Sequence, residues 1–321
     1  MRHQEIGGYL ELELSPGTDV PHSQALLVNS GRHALELILR ALGTVQKLWI
    51  PYYTCRVILE PLVKLNLPYE YYHINDRLEL AQDISLAEGE YLLYTNYFGI
   101  KDNYILELNE KYGNKLIADN AQALITEQNL AGCAFYSPRK FVGVPDGGIA
   151  QLPFDYSIDN NELDESYDRC AHLLKRYDLG ASAAYLDCKE NNKKLRGLAI
   201  RRMSPLSQAL LQSLDYRFIK ETRERNFSIL HQELKSSNRL DIDSFGSFAS
   251  PLIYPYYSDD AELKSRLIAH KVFVATYWPN VFDWCQKSDF EYDLTKNLIA
   301  IPMDQRYSVD DMEFILNLIK N

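Results

Sequence analysis

Apolar positions along the chain repeat with two alternating periods, and the alternation sets in near residue 30. GRHALELILRAL (31–42) recurs at three and four residues, which predicts an amphipathic helix stopped by Gly43. KLWIP (47–51) follows as a short buried strand, and Thr54 is placed to cap a second helix reaching about Leu65. LPYEYYHI (67–74) and EYLLYTNYFG (90–99) predict strands, the second running into a glycine turn, and NYILELNEKYG (103–113) predicts a helix. KLIAD (115–119) and GCAFYS (132–137) are the next two strands, and Gly147 and Gly148 permit a tight return before another. Strand, helix, strand at this spacing predicts an α/β fold whose mostly parallel central sheet is covered by helices on both faces. Ligands bind such sheets outside the carboxyl ends of the strands, which here carry Tyr97 to Gly99, Asp119 to Gln122, and Ser137 to Lys140.

Beyond Gly148 the periodicity loosens. Residues 153–168 are polar and acidic, 166–177 reads as helix, and 181–188 fits helix or strand. Ser204-Pro205 supplies cap and first-turn chemistry for a long helix through QALLQSLDYRFIKETRERNFSILHQEL. FASPLIYPYY, the helical DDAELKSRLIAHK, the apolar VFVATYW, NLIAIPM and VDDMEFILNLI then suggest a small α+β domain. The expected division is a large α/β domain over 15–203, with a linking helix and smaller C-terminal domain over 204–321. No internal repeat or low-complexity segment is evident.

Charge and cysteine usage narrow the class. With 34 basic and 44 acidic residues the formal charge is -10, and the basic residues form no stripe beside aromatics, which disfavours nonspecific nucleic-acid binding. The N-terminal MRHQEIGGYLELELSPG lacks the basic-then-apolar order of a signal peptide, and no apolar run reaches the roughly 20 residues that span a bilayer. Five scattered cysteines, without paired metal spacing, fit reduced thiols, so a soluble cytoplasmic protein is expected. The N-x-S match at Asn226 falls in a charged helical region and needs no glycan. Tyrosine, at 23, suits a polar aromatic-lined groove or dimer surface as well as ordinary core rims. The glycine fingerprint of dinucleotide binding, the phosphate loop ending in G-K-S/T and the H-E-x-x-H zinc motif are all absent.

Three clusters carry candidate chemistry. Asp119 closes an apolar strand, where a carboxylate either caps a following helix or keeps the pyridine nitrogen of pyridoxal phosphate protonated, with Gln122 one helical turn on facing the ring hydroxyl. Lys140 lies in FYSPRKFVGVPDGG, between Pro138 and Pro145. A loop lysine is ordinarily just solvated, but stiff flanks can aim it into a cleft, where desolvation and Arg139 would favour the neutral amine needed for a Schiff base. Ser30, Gly31 and Arg32 open the first helix, whose free backbone N–H groups favour an anion such as phosphate. His33 beside them fits a helix surface at least as well as a substrate contact. Tyr94, Tyr97 and Phe98 suit a cleft wall or core support, and YWPNVFDW (277–284) either touches substrate or seals the small domain.

The order SGRxAL, a strand ending PYYT, ADNAQA, then SPRK followed by PDGG resembles the DegT-like sugar aminotransferases, pyridoxal-phosphate enzymes of the aspartate aminotransferase superfamily. RRMSPLSQALLQSLD (201–215) and IPMDQRYSVDDMEFILNLI extend the likeness over nearly the whole chain. The resemblance implies a homodimer with composite active sites. It also implies transfer of an amino group from glutamate or glutamine to a nucleotide-linked keto sugar, in polysaccharide or secondary-metabolite biosynthesis. By position it implies Lys140 as Schiff-base lysine, Asp119 as partner of the pyridine nitrogen, Gln122 near the ring oxygen, and Gly31 with Arg32 in the phosphate cup.

This sequence departs from the family at three places. Phe135 stands where the family has a phosphate-binding serine five residues before its lysine, leaving Ser137 or Tyr136 as substitutes. The ring-stacking aromatic falls close to Cys55, with Tyr53 as replacement, and Ile200 stands for an asparagine that reaches phosphate across the dimer, leaving Arg201 or Arg202 to supply charge. The departures keep two other expectations open: a pyridoxal-phosphate enzyme of different chemistry, such as dehydration or work on a small amino-acid substrate, and a noncatalytic or regulatory relative.

Overall fold

A computed structural model describes residues 7–15, 17, 20–126 and 130–320. Seven strands form the central sheet: β1 (Leu26–Val28), β2 (Lys47–Pro51), β3 (Tyr69–Tyr72), β4 (Glu90–Thr95), β5 (Leu116–Asn120), β6 (Cys133–Tyr136) and β7 (Gly148–Gln151). Their order is β1-β7-β6-β5-β4-β2-β3. The pairs β3–β2, β2–β4, β4–β5 and β5–β6 are parallel, and only β7 runs antiparallel to its neighbours. The sheet is thus mostly parallel, as the alternating periods predict.

Alternate residues of these strands face opposite layers, because side chains along a strand switch faces at each residue. Leu48, Ile50, Leu93, Ile117, Cys133, Phe135 and Ala150 meet Leu35 and Ile38 of α1 (Gly31–Ala41) and Leu62 of α2 (Leu59–Lys64). Leu92, Tyr94, Leu116, Ala118, Tyr136 and Ile149 face the other way, towards Ile105 and Leu108 of α3 (Asp102–Tyr112) and a core shared with the C-terminal region. Thr54 makes no cap: α2 is preceded by a 3-10 turn over Arg56–Ile58 whose flanking residue is Cys55.

After β7 an irregular stretch leads to two antiparallel-packed helices, α4 (Ala171–Leu179) and α5 (Ala181–Lys194), so the ambiguous 181–188 is helical. The long helix expected from Ser204 is two helices, α6 (Pro205–Gln212) and α7 (Tyr216–Leu234). Ser204 caps α6 through the N–H of Ser207 at 3.1 Å, and Asp215 starts α7 afresh by accepting from the N–H of Phe218 at 2.9 Å. The remaining helices are α8 (Leu263–Ala269), α9 (Val281–Trp284), α10 (Phe290–Asn297) and α11 (Val309–Lys320), grouped about an antiparallel pair, β8 (Tyr254–Tyr257) and β9 (Leu298–Ile301). VFVATYW contributes only an isolated bridge between Ala275 and Ala300.

One contact fixes how the first helix meets the sheet. A Cβ built on Gly148 would lie 2.1 Å from the carbonyl carbon and oxygen of Ser30, and the N–H of neighbouring Gly147 donates to Asn29 O at 3.0 Å. Only a residue without a side chain lets β7 and the start of α1 approach this closely. Gly148→Ala should therefore cost about 3 kcal/mol or more of stability, read as a lower urea midpoint in equilibrium unfolding. An unchanged midpoint would contradict this packing.

Candidate active site

The carboxyl ends of β5 and β6 and the N-terminus of α1 open onto one cavity of about 470 Å³. Ser30, Gly31 and Arg32 line it from the helix, Asp119 from β5, and Ser137 and Lys140 from the turn after β6. Three sequence segments separated by some 20 to 90 residues thus converge, and Lys140 and Asp119 share a single space.

Asp119 is buried, and no helix follows it, so it has no helix to cap. Its Oδ1 accepts from the N–H of Ala121 at 2.9 Å and its Oδ2 from the hydroxyl of Thr95 at 3.5 Å. Burial pushes its pKa above the ordinary carboxylate value, while the nearby Lys140 charge and these hydrogen bonds pull it back. A positive group placed against it would find a carboxylate with acceptor capacity to spare.

Lys140 ends a 3-10 turn, Pro138–Lys140, in which its N–H donates to Ser137 O at 3.1 Å. The desolvation expected from the sequence is not found, since the lysine side chain is exposed at the cavity mouth. The turn itself is fastened from behind. Phe141 O accepts from Arg223 Nη2 at 3.2 Å and from Gln305 Nε2 at 2.9 Å, and the Arg223 guanidinium lies 4.6 Å from the centre of the Phe141 ring. From outside, Asn191 Nδ2 of α5 donates to Pro145 O at 2.7 Å. None of these partners was legible in the sequence, because each lies more than 40 residues from the lysine loop.

At the anion end, Ser30 caps α1 and its hydroxyl sits 2.8 Å from His33 Nδ1. His33 Nε2 lies 3.1 Å from Leu198 O, an atom that can only accept, so Nε2 carries the ring hydrogen and Nδ1 accepts the Ser30 proton. The hydroxyl hydrogen of Ser30 is therefore spent, and the helix offers an anion the N–H groups of Gly31 and Arg32. Gly31 is close to Ser137, where a Cβ would meet Ser137 Cβ at 3.2 Å, which leaves an uncluttered backbone cradle beside Ser137 Oγ. His33 is consequently a buried part of the site's support and not a surface residue.

Two expected residues do not reach this cavity. Tyr53 is fully buried, turned into the core with its ring 5.1 Å from Trp278 and 5.5 Å from Tyr97. Gln122 is buried, and its Oε1 accepts from the N–H of Phe98 at 2.8 Å, bracing the turn after β4. Tyr94, Tyr97 and Phe98 are likewise core. Arg201 pairs with Glu162 and Asp164, and Arg202 donates to Asn161 O, so neither lines the cavity. The 277–284 segment seals: Asn280 holds Thr54 O at 2.9 Å and the N–H of Arg56 at 3.2 Å, and Asp283 pairs with Arg56 at 2.6 Å. The polar and charged wall residues missed by the sequence reading are Thr54, Arg139 as a wall group, and Asn192 and Arg196 near the end of α5, and Leu35, Val57, Ile58 and Ala121 complete the lining it did not place.

A larger cavity, about 770 Å³, lies between the 20–26 and 151–156 segments, lined by neither lysine nor arginine. Among the described residues there is no group of side chains able to hold a metal, no helix long and apolar enough to cross a membrane, and no disulfide. The residues of the smaller cavity fit pyridoxal phosphate: an amine for the aldehyde, a buried carboxylate for the ring nitrogen, and a backbone cradle for the phosphate.

No family profile matches the sequence, and no curated protein matches it either. Solved structures do. They include the putative sugar aminotransferase Spr1654 from Streptococcus pneumoniae in apo-form, with TM-score 0.65, 13% identity and coverage of 92% of this chain and 85% of that chain. Its PMP-form also matches. DesI in the presence of its TDP-sugar product matches with TM-score 0.65, 15% identity and coverage of 92% and 79%. A DegT DnrJ EryC1 StrS aminotransferase from Brucella abortus matches with TM-score 0.60, 15% identity and coverage of 92% and 85%. The chain has the fold of these aminotransferases, over nearly its full length.

Burial holds the His33 pKa down to about 4, from an ordinary 6.5. The unfolded chain therefore takes up a proton in that interval that the folded chain refuses, and stability falls as pH falls. The difference corresponds to roughly 3 kcal/mol, present above pH 6.5 and lost by about pH 4. His33→Gln should flatten the stability profile across this window in urea unfolding, and an unchanged slope would refute the neutral-histidine arrangement.

Proposed function

We propose that this chain is a pyridoxal-phosphate-dependent aminotransferase of the DegT-like kind, acting on a nucleotide-linked keto sugar with glutamate or glutamine as amino donor. The observation that carries the reading is the opening of Lys140 and Asp119 onto one cavity beside the N-terminus of α1. The shared fold supports it, as do the TDP-sugar product of DesI and the PMP-form of Spr1654 among the structures the chain resembles.

When bound, pyridoxal phosphate supplies an aldehyde that reacts with amines and a ring that accepts electrons. Lys140 Nζ is the amine that would hold the cofactor through its aldehyde, with loss of water, and that would serve as the proton carrier when free. Its exposed position at the cavity mouth lets the donor reach it. Asp119 would keep the ring nitrogen protonated, and its burial would make that ion pair stronger than one in water. The N–H groups of Gly31 and Arg32 and the hydroxyl of Ser137 would hold the phosphate, while Gln122 and Tyr53 support the walls from behind.

The working unit is a homodimer. Tyr177, Leu174, Leu186 and Tyr185 stand out from α4 and α5, the first 94% exposed, on the hairpin whose Asn192 and Arg196 reach the cavity wall. A sedimentation mass equal to a single chain would refute this. The unpaired cysteines suit a reducing compartment such as the cytoplasm.

The purified protein supplied with pyridoxal phosphate should develop the visible absorbance of a lysine-linked cofactor, fixed by borohydride on the peptide that contains Lys140. Lys140→Ala should abolish it, and glutamate should convert the native protein to the amino form of the cofactor. Asp119→Asn should retain the absorbance and lose about a hundredfold or more in transamination rate. Full turnover in Lys140→Ala would reject the assignment, and cofactor uptake without conversion by any amino donor would point to different chemistry on the same site.

A further inference from the structure

Of the two cavity arginines that the mechanism leaves unused, Arg196 is exposed and Arg139 is the more enclosed. Its guanidinium is half-buried, and no carboxylate pairs with it among the described residues. Its side-chain hydrogen bond goes to the neutral Oδ1 of Asn192. The two acids whose charge it feels are the Cys188 thiol and, more weakly, Asp146, which is already committed to Ser207 and to Arg169. Removal from water lowers the Arg139 pKa below the ordinary arginine value, and the nearby Arg32 charge acts in the same direction. A guanidinium in this condition is missing a counter-ion.

The other candidates for holding an anion are spoken for. Arg32 pairs with Glu60 through its side chain, and Arg201 and Arg202 are turned to other partners. The hydroxyl hydrogen of Ser30 belongs to His33. Phe135 occupies the place where the resemblance calls for a serine. What remains around the cradle is two backbone N–H groups, the Ser137 hydroxyl and two guanidinium groups without an ion pair among the described residues, of which Arg196 is exposed on the wall and Arg139 is half-buried beside Asn192.

We propose that Arg139 binds the anionic group of the ligand in this cavity, a phosphate monoester, so that a guanidinium charge does here what hydroxyl groups would otherwise do. Asn192 holds one edge of the fork and leaves further N–H groups for phosphate oxygens. The identity of the ester as the cofactor's phosphate rests on the function proposed above; the anion site itself does not.

The test compares pyridoxal phosphate with pyridoxal, which has the aldehyde and no phosphate, by absorbance titration of the full-length protein. In Arg139→Gln the Kd for pyridoxal phosphate should rise about ten- to a hundredfold, while that for pyridoxal stays within about twofold. Arg139→Lys should fall between, keeping charge without the fork, and it serves as the reporter if thermal melting shows Arg139→Gln unfolded. Equal weakening of both aldehydes, or of neither, would overturn the proposal. If the native protein takes up neither aldehyde, the functional reading fails and calorimetry with inorganic phosphate decides the anion site. Binding by the native protein that Arg139→Gln abolishes would uphold it, and no binding, or binding indifferent to the substitution, would overturn it.

Discussion

Everything chemical in this molecule depends on the backbone-to-backbone contact between Gly148 and Ser30. It seats the start of α1 against the start of β7, beside β6, and thereby sets the free N–H groups of the helix next to the turn that carries Lys140. Asp119 then arrives without further adjustment, because β5 is the strand adjacent to β6 and ends level with it. One further segment, residues 202–203, is held on the same junction. Arg202 bridges to Val28, and the N–H of Met203 donates to Leu27 O at 3.0 Å, so the start of α6 is tied to β1 beside the cradle. A local steric allowance thus organises contacts between residues more than 170 positions apart.

The sheet and its flanking helices were legible because they follow simple periods: α1, α3, β2, β4, β5 and β6 each match a predicted segment to within a few residues. The break between α6 and α7 was not, since apolar residues continue at helical spacing through Leu214 and only the side chain of Asp215 restarts the helix. For the site, the strand ends point to Asp119, Ser137 and Lys140 and the helix start to Ser30, Gly31 and Arg32, and all six line one cavity. Tyr53 and Gln122 escaped correct placement because sequence spacing does not specify which way a loop side chain turns. Their orientations are set by Trp278, Tyr97 and the N–H of Phe98, partners from other parts of the chain. Asn192 and Arg196 were invisible for the same reason, since α5 reaches the cavity only through the fold of its hairpin with α4.

The cavity is electrostatically lopsided. One carboxylate sits at its floor, and Arg32, Arg139, Lys140 and Arg196 stand around its walls, with Glu60 neutralising only the first. Such a field attracts anions from solution and discriminates against substrates without them. It also separates two kinds of chemistry in space: the buried carboxylate lies at the strand end, and the positive groups gather at the helix N-terminus and along the neighbouring walls.

The fastening of Phe141 has a mechanical consequence. Arg223 reaches Phe141 O from α7 while its Nη1 donates to Pro251 O and Leu252 O, each at 3.0 Å, and its Nε donates to Gln305. A single planar group therefore rivets the lysine turn to two chain segments that lead into and out of the β8–β9 layer. Displacing that layer by even an ångström would drag on the Lys140 turn or strand buried carbonyls without donors, so the C-terminal third of the chain acts as the anvil on which the lysine is held rather than as a separate lid.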